Sequence, residues 1–360
     1  MAERDHALAL VLSGGNALGA YHAGAYQALS EHGLEPDWVV GASIGAITGA
    51  VICGNAAEQR IAQLRALWGV GDDPMPATFP GMDEARRTGS ALRTLIGGHP
   101  GMFVPRHLFG PWWNPFGNPE ASSLYDATPL QRTLEQLVDF ERLNRGAPRL
   151  GATAVDLETG EDVVFDTRTH SLTHDHIRAS SALLPAFSPV EIGGRLLGDA
   201  GISVNLPLDV VLAETPEKPL LCVAIDLLPL QAPRPNSLGE TVSRMQDLVF
   251  ATQSRRAIAA WQAIFDERVR QDDARSITLL HIAYSEQQRE VSGKAFDFSA
   301  ESSGARWSAG YDDLRRALDQ VAGGKIPIGR PGLSVYCASG SGTGSGALEP
   351  VHWAMAPVRG

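Results

Sequence analysis

The chain opens with two repeats of one hydrophobic pattern: a short apolar run, a glycine-rich turn and a longer apolar stretch. Residues 7–12 (ALALVL) are uninterrupted apolar residues, which is typical of a strand buried on both faces. A helix is predicted over 17–31. A second strand at 38–40 precedes a tight turn from Gly41 to Gly45 and another apolar helix. Because strand–turn–helix units in series give parallel strands with right-handed crossovers, the pattern predicts a parallel sheet covered by helices.

The rest of the chain continues this alternation. Further strands are predicted at 150–155, 162–165, 196–197, 220–226 and 276–283, and further helices at 128–140, 176–183, 237–268 and 305–321, with Thr128 as the N-cap of the first of these. The predicted fold class is therefore α/β: a three-layer α/β/α arrangement with a mainly parallel central sheet. We expect one domain over 1–335 and, from the Gly- and Ser-rich composition of 338–346, a flexible C-terminal tail over 336–360.

An irregular insertion or lid is predicted near residues 70–125, where proline and glycine are dense. Two interpretations of its aromatic residues stay open. They dip into a membrane interface or cover an acyl channel, or they form a small core beneath a long loop. The aromatic residues concerned are Phe103, Phe109, Trp112, Trp113 and Phe116.

One stretch, residues 38–57, has no acidic or basic side chain and no histidine. Its length would span a bilayer, and Gly41, Gly45 and Gly49 have the spacing of a packed membrane helix. The strand and turn signals at its start favour a buried strand–turn–helix instead.

Charge and cysteine content narrow the function classes. Of the 360 residues 44% are hydrophobic, enough for a sizeable core, and the net charge of −11 argues against nucleic-acid binding and against a strongly basic membrane-adsorbing surface. Cys53, Cys222 and Cys337 fit neither a disulfide framework nor a CxxC metal site. The opening 15 residues lack the features of an export signal, so we expect a cytoplasmic protein.

The strongest chemical signal is Gly41-Ala42-Ser43-Ile44-Gly45, a G-x-S-x-G sequence between an apolar strand and a helix. In that setting a sharp turn lifts the serine hydroxyl out of the sheet, and the helix N-terminus favours developing negative charge. Ser43 is therefore the candidate nucleophile, with Gly41 and Gly45 giving the turn its room. The alternative is a packing turn with a capping serine.

A second glycine-rich turn, 13–19, follows the first strand. Its small residues leave backbone N–H groups that can converge on an anion. A dinucleotide fingerprint fits poorly, since Gly14 and Gly15 are adjacent and Gly19 lies four residues further on. No Gly-Lys-Ser/Thr follows, which argues against a P-loop. The pattern favours an oxyanion nest over a nucleotide site or a plain turn.

A serine nucleophile needs a base, and the sequence offers two kinds. Asp199 stands between Gly198 and Ala200-Gly201 just after a predicted strand, where a carboxylate can accept the serine proton directly or simply bond its own turn. His281 and His352 follow it, but His281 lies within an apolar strand and His352 beyond the Gly-rich tail. A Ser–His–Asp triad through His281 stays open as the alternative.

Together these three segments resemble the patatin-like phospholipase family, whose G-G-x-x-x-G loop, G-x-S-x-G elbow and D-G-[GA] loop occur in the same order. They correspond to 14–19, 41–45 and 199–201, and the stretches 182–194 (ALLPAFSPVEIGG) and 205–207 also resemble the family. The similarity covers about residues 7–230, and 309–318 (AGYDDLRRAL) is similar to one bacterial branch. The resemblance implies a Ser43–Asp199 dyad without histidine, with the N–H groups of Gly14, Gly15 and Asn16 as the oxyanion hole and Gly201 in the base loop.

Three departures from the family pattern bear on activity. Leu18 stands where many members have Arg or Lys, Ala200 replaces the usual glycine of the base loop, and Asn16 replaces a more usual glycine. The methyl of Ala200 is harmless only if its φ is negative, whereas asparagine tolerates left-handed geometry.

The resemblance implies a serine acyl hydrolase acting on a lipid ester or phospholipid, without metal or organic cofactor. The sequence leaves open peripheral contact with the inner face of a membrane and a homo-oligomer. It also leaves open a catalytically weak lipid-binding or scaffold protein with the same fold.

Overall fold

The computed structural model describes residues 4–71, 82–106, 123–214, 218–273, 275–285, 287–338 and 347–353. The strands in these residues are β1 (Ala7–Leu12), β2 (Trp38–Ala42), β3 (Val104–Pro105), β4 (Tyr125–Asp126), β5 (Arg149–Asp156), β6 (Asp162–Asp166), β7 (Val190–Ile192), β8 (Arg195–Asp199), β9 (Leu220–Asp226), β10 (Ser276–Ala283), β11 (Gly332–Ala338) and β12 (Leu348–Pro350). The α-helices are α1 (Ala20–Glu31), α2 (Ile44–Cys53), α3 (Ala57–Trp68), α4 (Asp83–Gly97), α5 (Thr128–Leu137), α6 (Phe140–Leu143), α7 (His174–Ser180), α8 (Leu208–Ala213), α9 (Leu238–Arg270) and α10 (Ala300–Ala322). Short 3-10 helices occupy Asn16–Gly19, Ala200–Ile202 and Lys294–Phe296.

Ten of these strands form the central sheet, in the order β12-β11-β10-β9-β1-β2-β5-β8-β7, with β6 also paired to β5. The central six, β11 to β5, run parallel to one another. The antiparallel pairs lie toward the ends, where β12 joins β11 and where β6 and β8 both join β5. The prediction of a mainly parallel sheet is confirmed.

Helices cover both faces of the sheet, as the three-layer prediction requires. Along β1, Leu8, Leu10 and Leu12 join the core shared with α1, α2, α3 and α10. The intervening Ala9 and Val11 join the core shared with α8 and α9. Because successive side chains of a strand point to opposite faces, an unbroken apolar run is what a strand between two helix layers needs.

The uncharged stretch 38–57 is confirmed as a buried strand–turn–helix. It contains β2 and α2, and every residue of both is buried. The strand continues through Ala42, so the turn is tighter than the predicted 41–45. Among the described residues, no helix is long and apolar enough to cross a membrane.

Several other predicted boundaries differ by a few residues, and two of them have a clear local cause. Thr128 is the first residue of α5 rather than its cap, because its hydroxyl and its N–H both donate to Asp126. The helix predicted over 17–31 begins as the 3-10 turn at Asn16–Gly19 and becomes α1 at Ala20.

The predicted insertion is more regular than its composition suggested. Its described part contains α4, which has 15 residues, and the β3–β4 pair. Phe103 is buried in the main core and packs edge-on against Tyr125 and Phe187, and both interpretations of the aromatic residues stay predictions. The other aromatic residues of that prediction, Phe109, Trp112, Trp113 and Phe116, lie outside the described residues.

The tail prediction is wrong at 336–338 and at 348–350. The last three residues of β11 fall within 336–360, and β12 pairs with β11 from the far side of the Gly- and Ser-rich stretch. Tyr336 is buried in the core, so its strand is held by packing that composition alone does not reveal. The division into one domain over 1–335 stays a prediction.

Helices α1 and α10 approach so closely that two glycines are required at their contact. A Cβ on Gly24 would lie 1.8 Å from the backbone oxygen of Trp307, and one on Gly310 would lie 2.1 Å from that of Tyr21. Since neither backbone can yield, we expect Gly24→Ala to lower the free energy of unfolding by about 3–5 kcal/mol. Urea unfolding measures this.

The matched control for that change is Gly89→Ala in α4. There a Cβ would meet only the tip of Arg93, at 3.7 Å, so removing a helical glycine should be neutral or add up to about 1 kcal/mol of stability. Equal effects of the two substitutions would contradict the steric explanation.

Candidate active site

Ser43 occupies a strained turn between β2 and α2. Its φ of 55° and ψ of −124° are unusual for a residue other than glycine. A Cβ on Gly41 would lie 2.3 Å from the backbone of Gly45, and one on Gly45 would lie 2.2 Å from the Leu12 oxygen. Both glycines are therefore needed for the turn, which presents the serine at the N-terminus of α2.

Strand register brings Asp199 level with Ser43. Ala42 of β2 pairs with Thr153 of β5, and the next residue of β5, Ala154, pairs with Asp199. Ser43 and Asp199 thus extend from β2 and β8, the strands on either side of β5. The backbones of these two strands are about 10 Å apart, which is two strand spacings, and both residues line the same cavity. Asp199 is the last residue of an antiparallel strand, not a loop residue at the end of a parallel one as the sequence suggested.

The Asp199 carboxyl group is buried, with 2% of its residue surface exposed. Its Oδ1 accepts a hydrogen bond from the Gly201 N–H at 2.7 Å, while Oδ2 makes no hydrogen bond of standard geometry among the described residues. Burial raises the pKa of Asp199 to about 6, against opposing effects of the nearby Ser43 hydroxyl and the Gly201 N–H. Hydrogen bonds between catalytic groups are often long until substrate binds.

The glycine-rich turn lies beside Ser43. A Cβ on Gly14 would be 3.2 Å from the Ser43 Cβ. The Gly14 N–H donates to the Asn205 backbone oxygen at 3.0 Å, so it is not free to bind an oxyanion, and that part of the prediction needs correction. Among the described residues, the N–H groups of Gly15 and Asn16 have no hydrogen-bond partner. Asn16 has the left-handed φ of 52° that asparagine tolerates.

Ala200 and Leu18, two of the departures from the family pattern, both fit the fold without backbone strain or exposure. Ala200 begins the 3-10 helix that follows Asp199 and does not have a positive φ, so its methyl group causes no backbone strain. Leu18 is fully buried within the turn.

Three residues that sequence reasoning missed hold these segments together. The Asn205 amide donates to the Gly14 oxygen at 3.3 Å, and the Gln253 side chain of α9 accepts from the Asn205 N–H at 2.8 Å. Ser180 accepts the Ser43 N–H through its backbone oxygen at 3.1 Å. Asn205 stood in a family-like stretch without an assigned role, whereas no sequence signal marked Ser180 or Gln253.

A cavity of about 120 Å³ extends from these groups, and Ser43, Asp199, Gly14, Gly15, Asn16 and Gly201 all line it. The remaining wall is mostly apolar and comes from several distant segments. Its larger apolar members are Ile44, Ile47, Met102, Phe103, Leu130, Leu183, Phe187, Val190, Leu228, Phe250 and Phe296. A mostly apolar cavity that is also lined by a hydroxyl and a carboxyl group suits an acyl chain and its ester.

His281 does not belong to this group. It is not among the residues that line the cavity, and its ring bonds Asp226 at 3.4 Å. Its Nδ1 lies 3.8 Å from the Sγ of Cys337, within the strand pair of β10 and β11. The triad alternative through His281 is therefore incompatible with the fold.

Comparison with known families agrees with the arrangement of these segments. A family model described as patatin-like phospholipase matches residues 10–212, and a second, described as patatin phospholipase, matches 238–323. Uncharacterized NTE family proteins of Mycobacterium bovis and Mycobacterium tuberculosis are 31% identical over 218 residues, which are 60% of this chain and 30% of theirs. Another from M. tuberculosis is 27% identical over 266 residues, 72% of this chain and 60% of that protein. This chain thus spans under two thirds of each relative.

Among solved structures, VipD from Legionella pneumophila matches with a TM-score of 0.39 at 15% identity, covering 88% of this chain and 67% of VipD. The type III effector protein ExoU matches with a TM-score of 0.34, also at 15% identity, covering 88% of this chain and 53% of ExoU.

Proposed function

This chain belongs to the patatin-like phospholipase family, and we propose from that premise that it is a serine acyl hydrolase of lipid esters. The observation that carries the proposal is that Ser43, Asp199, Gly15 and Asn16 line one mostly apolar cavity, in which the Gly15 and Asn16 N–H groups have no hydrogen-bond partner among the described residues. Ser43 is the nucleophile, Asp199 the general base, and the Gly15 and Asn16 amides form the oxyanion hole.

The reaction proceeds through an acyl-enzyme. The Ser43 Oγ attacks the ester carbonyl carbon while Asp199 takes the hydroxyl proton, and the amides of Gly15 and Asn16 stabilise the oxyanion. The tetrahedral intermediate collapses, Asp199 returns the proton to the departing alcohol, and the acyl group stays on Ser43. A water molecule, deprotonated by Asp199, then attacks the acyl carbon, and the second tetrahedral intermediate collapses as Asp199 returns that proton to the Ser43 Oγ, which releases the fatty acid and the free serine.

The residues that line the cavity support a lipid ester as the class of substrate. Its apolar wall binds an acyl chain, and the nearby cations Arg178 and Lys294 are both paired with carboxylates. A lipid ester or phospholipid is thus the proposed substrate. Cytoplasmic residence with peripheral membrane contact belongs to the same proposal.

The experiment measures hydrolysis of p-nitrophenyl esters of graded chain length and of defined phospholipids, together with fluorophosphonate labelling read by mass spectrometry. We expect turnover and a label on Ser43. A folded protein that binds these lipids without turnover and without a label would instead be the catalytically weak lipid-binding or scaffold alternative.

The pH dependence follows from the burial of Asp199. Only its ionised form accepts a proton, and burial raises its pKa to about 6. We therefore expect kcat/KM to be level above about pH 7, to be halved near pH 6 and to fall toward tenfold per pH unit below that. If the base were an exposed aspartate with an ordinary pKa, the enzyme would keep its activity down to about pH 4. A profile flat from pH 8 to pH 4.5, measured on a protein shown to stay folded, would contradict this role.

A further inference from the structure

The guanidinium group of Arg306, within α10, is completely buried and all five of its N–H donors are used. Nε and Nη2 donate to the two carboxylate oxygens of Glu290 at 2.8 and 2.7 Å. Nη1 donates to the backbone oxygens of Ala17 at 2.9 Å and Asp297 at 2.7 Å, and Nη2 also donates to that of Lys294 at 3.1 Å. One planar group thus joins α10 and the neighbouring segment 290–297 to the glycine-rich turn, 289 positions away in sequence.

The Ala17 oxygen connects this group to the candidate oxyanion hole. Ala17 follows Asn16 within the same 3-10 turn, and Leu18 closes that turn by donating to the Gly15 oxygen at 3.2 Å. The left-handed backbone of Asn16 costs about 1–2 kcal/mol and persists only where its surroundings fix it. A hydrogen bond from a buried cation to the next residue is such a constraint.

Glu290 holds the guanidinium group in place. Its side chain is 2% exposed, and it also accepts from the Tyr284 hydroxyl at 2.9 Å and from Arg87 at 3.5 Å. The Arg306 position is itself fixed by the α1–α10 contact, because the next residue, Trp307, is the one that Gly24 meets. The carboxylate, the helix contact and the oxyanion turn therefore form one connected unit.

We propose that Arg306 is a positioning residue, which holds the Gly15 and Asn16 amides in the orientation that stabilises the oxyanion. This inference rests on the proposed function. Arg306 is not among the cavity-lining residues, so it acts through the Ala17 oxygen and not on the substrate.

The test is Arg306→Lys, which keeps the charge but has three donors in place of five and cannot hold both the 290–297 segment and the Ala17 oxygen. Because the amides act mainly on the transition state, we expect kcat to fall about 10- to 100-fold with KM changed less than about twofold. A trifluoromethyl ketone that mimics the tetrahedral intermediate should lose affinity by a similar factor. The affinity for a fatty alcohol, which has the acyl chain but no oxyanion, should stay the same.

The matched control is Arg60→Lys. Arg60 is also a buried arginine, and it is paired with Glu35 and bonded to the Tyr26 hydroxyl at 3.0 Å and the Asn55 oxygen at 3.1 Å, in a cluster outside the cavity. The Arg60→Lys variant measures how far kcat falls when a buried arginine whose hydrogen-bond partners lie outside the oxyanion turn is replaced by lysine. If both variants fold and lose the same kcat, or if Arg306→Lys keeps its affinity for the ketone, the inference is overturned.

If Arg306→Lys does not fold, Tyr284→Phe decides, since it removes one hydroxyl from Glu290. A lower kcat at constant KM with a matching loss of ketone affinity supports the inference, and wild-type values overturn it. Failure of the proposed function looks different: the wild-type protein itself would then show no hydrolysis that depends on Ser43.

Discussion

Ser43→Ala is expected to reduce ester hydrolysis at least about 1,000-fold, because the side chain that forms the acyl-enzyme is gone. The backbone should be unaffected, since alanine and serine bear a similar cost at the φ of 55°. Steady-state hydrolysis of a p-nitrophenyl ester measures the loss, and thermal unfolding verifies that the variant is folded.

A matched control for this change is Ser308→Ala, which removes an exposed hydroxyl of α10 whose hydrogen bond, within the described part of the chain, goes to the Gly304 oxygen of its own helix. It should keep full activity. Substantial turnover by Ser43→Ala would mean that another group attacks the ester, and the proposed mechanism would fall.

Asp199→Asn is expected to lower kcat by about two to four orders of magnitude, because the amide keeps the shape of the carboxyl but accepts no proton. Its oxygen can still accept the Gly201 N–H, so the loop should hold its structure. Pre-steady-state kinetics should show acylation slowed along with turnover. The residual activity should lose the dependence on a group with a pKa near 6.

The pH dependence of folding stability gives an independent check on the raised pKa of Asp199. Because burial raises the pKa of Asp199, the folded state holds its proton more tightly than the unfolded chain, and stability from this group declines as pH rises from about 4 to about 6. Above pH 6 the Asn variant avoids the buried charge and should melt no lower than the wild type. Full activity of Asp199→Asn together with inactive His281→Ala would reverse the assignment of the base.

Much of the fold could be predicted because the buried strands and the serine turn each follow from a short, local sequence pattern. The predicted strands at 7–12, 220–226 and 276–283 match β1, β9 and β10, since strands buried on both faces must be apolar throughout. The elbow was also predictable, because the close contacts of Gly41 and Gly45 tolerate no side chain, and a serine between two such glycines after a strand is a local pattern.

What could not be predicted depends on pairing between distant segments. The hydrogen bond from the Gly14 N–H to the Asn205 backbone oxygen joins residues 191 positions apart, and no sequence pattern in either segment predicts this pairing. The direction of β8 and the pairing of β12 likewise depend on which strand is the neighbour. The Arg306 cluster had no signal, since a lone arginine in an amphipathic helix usually faces solvent.

The groups proposed for the chemistry sit at the ends of β1, β2 and β8, whereas the apolar wall proposed to bind the acyl chain comes from other elements, including Leu130 of α5, Phe250 of α9 and Phe296 of a 3-10 helix. In the proposed mechanism, reactivity and chain-length preference are therefore encoded in separate residues. Libraries that vary only the wall positions would let a protein engineer retune substrate choice from short esters to long lipids while leaving the turnover machinery intact.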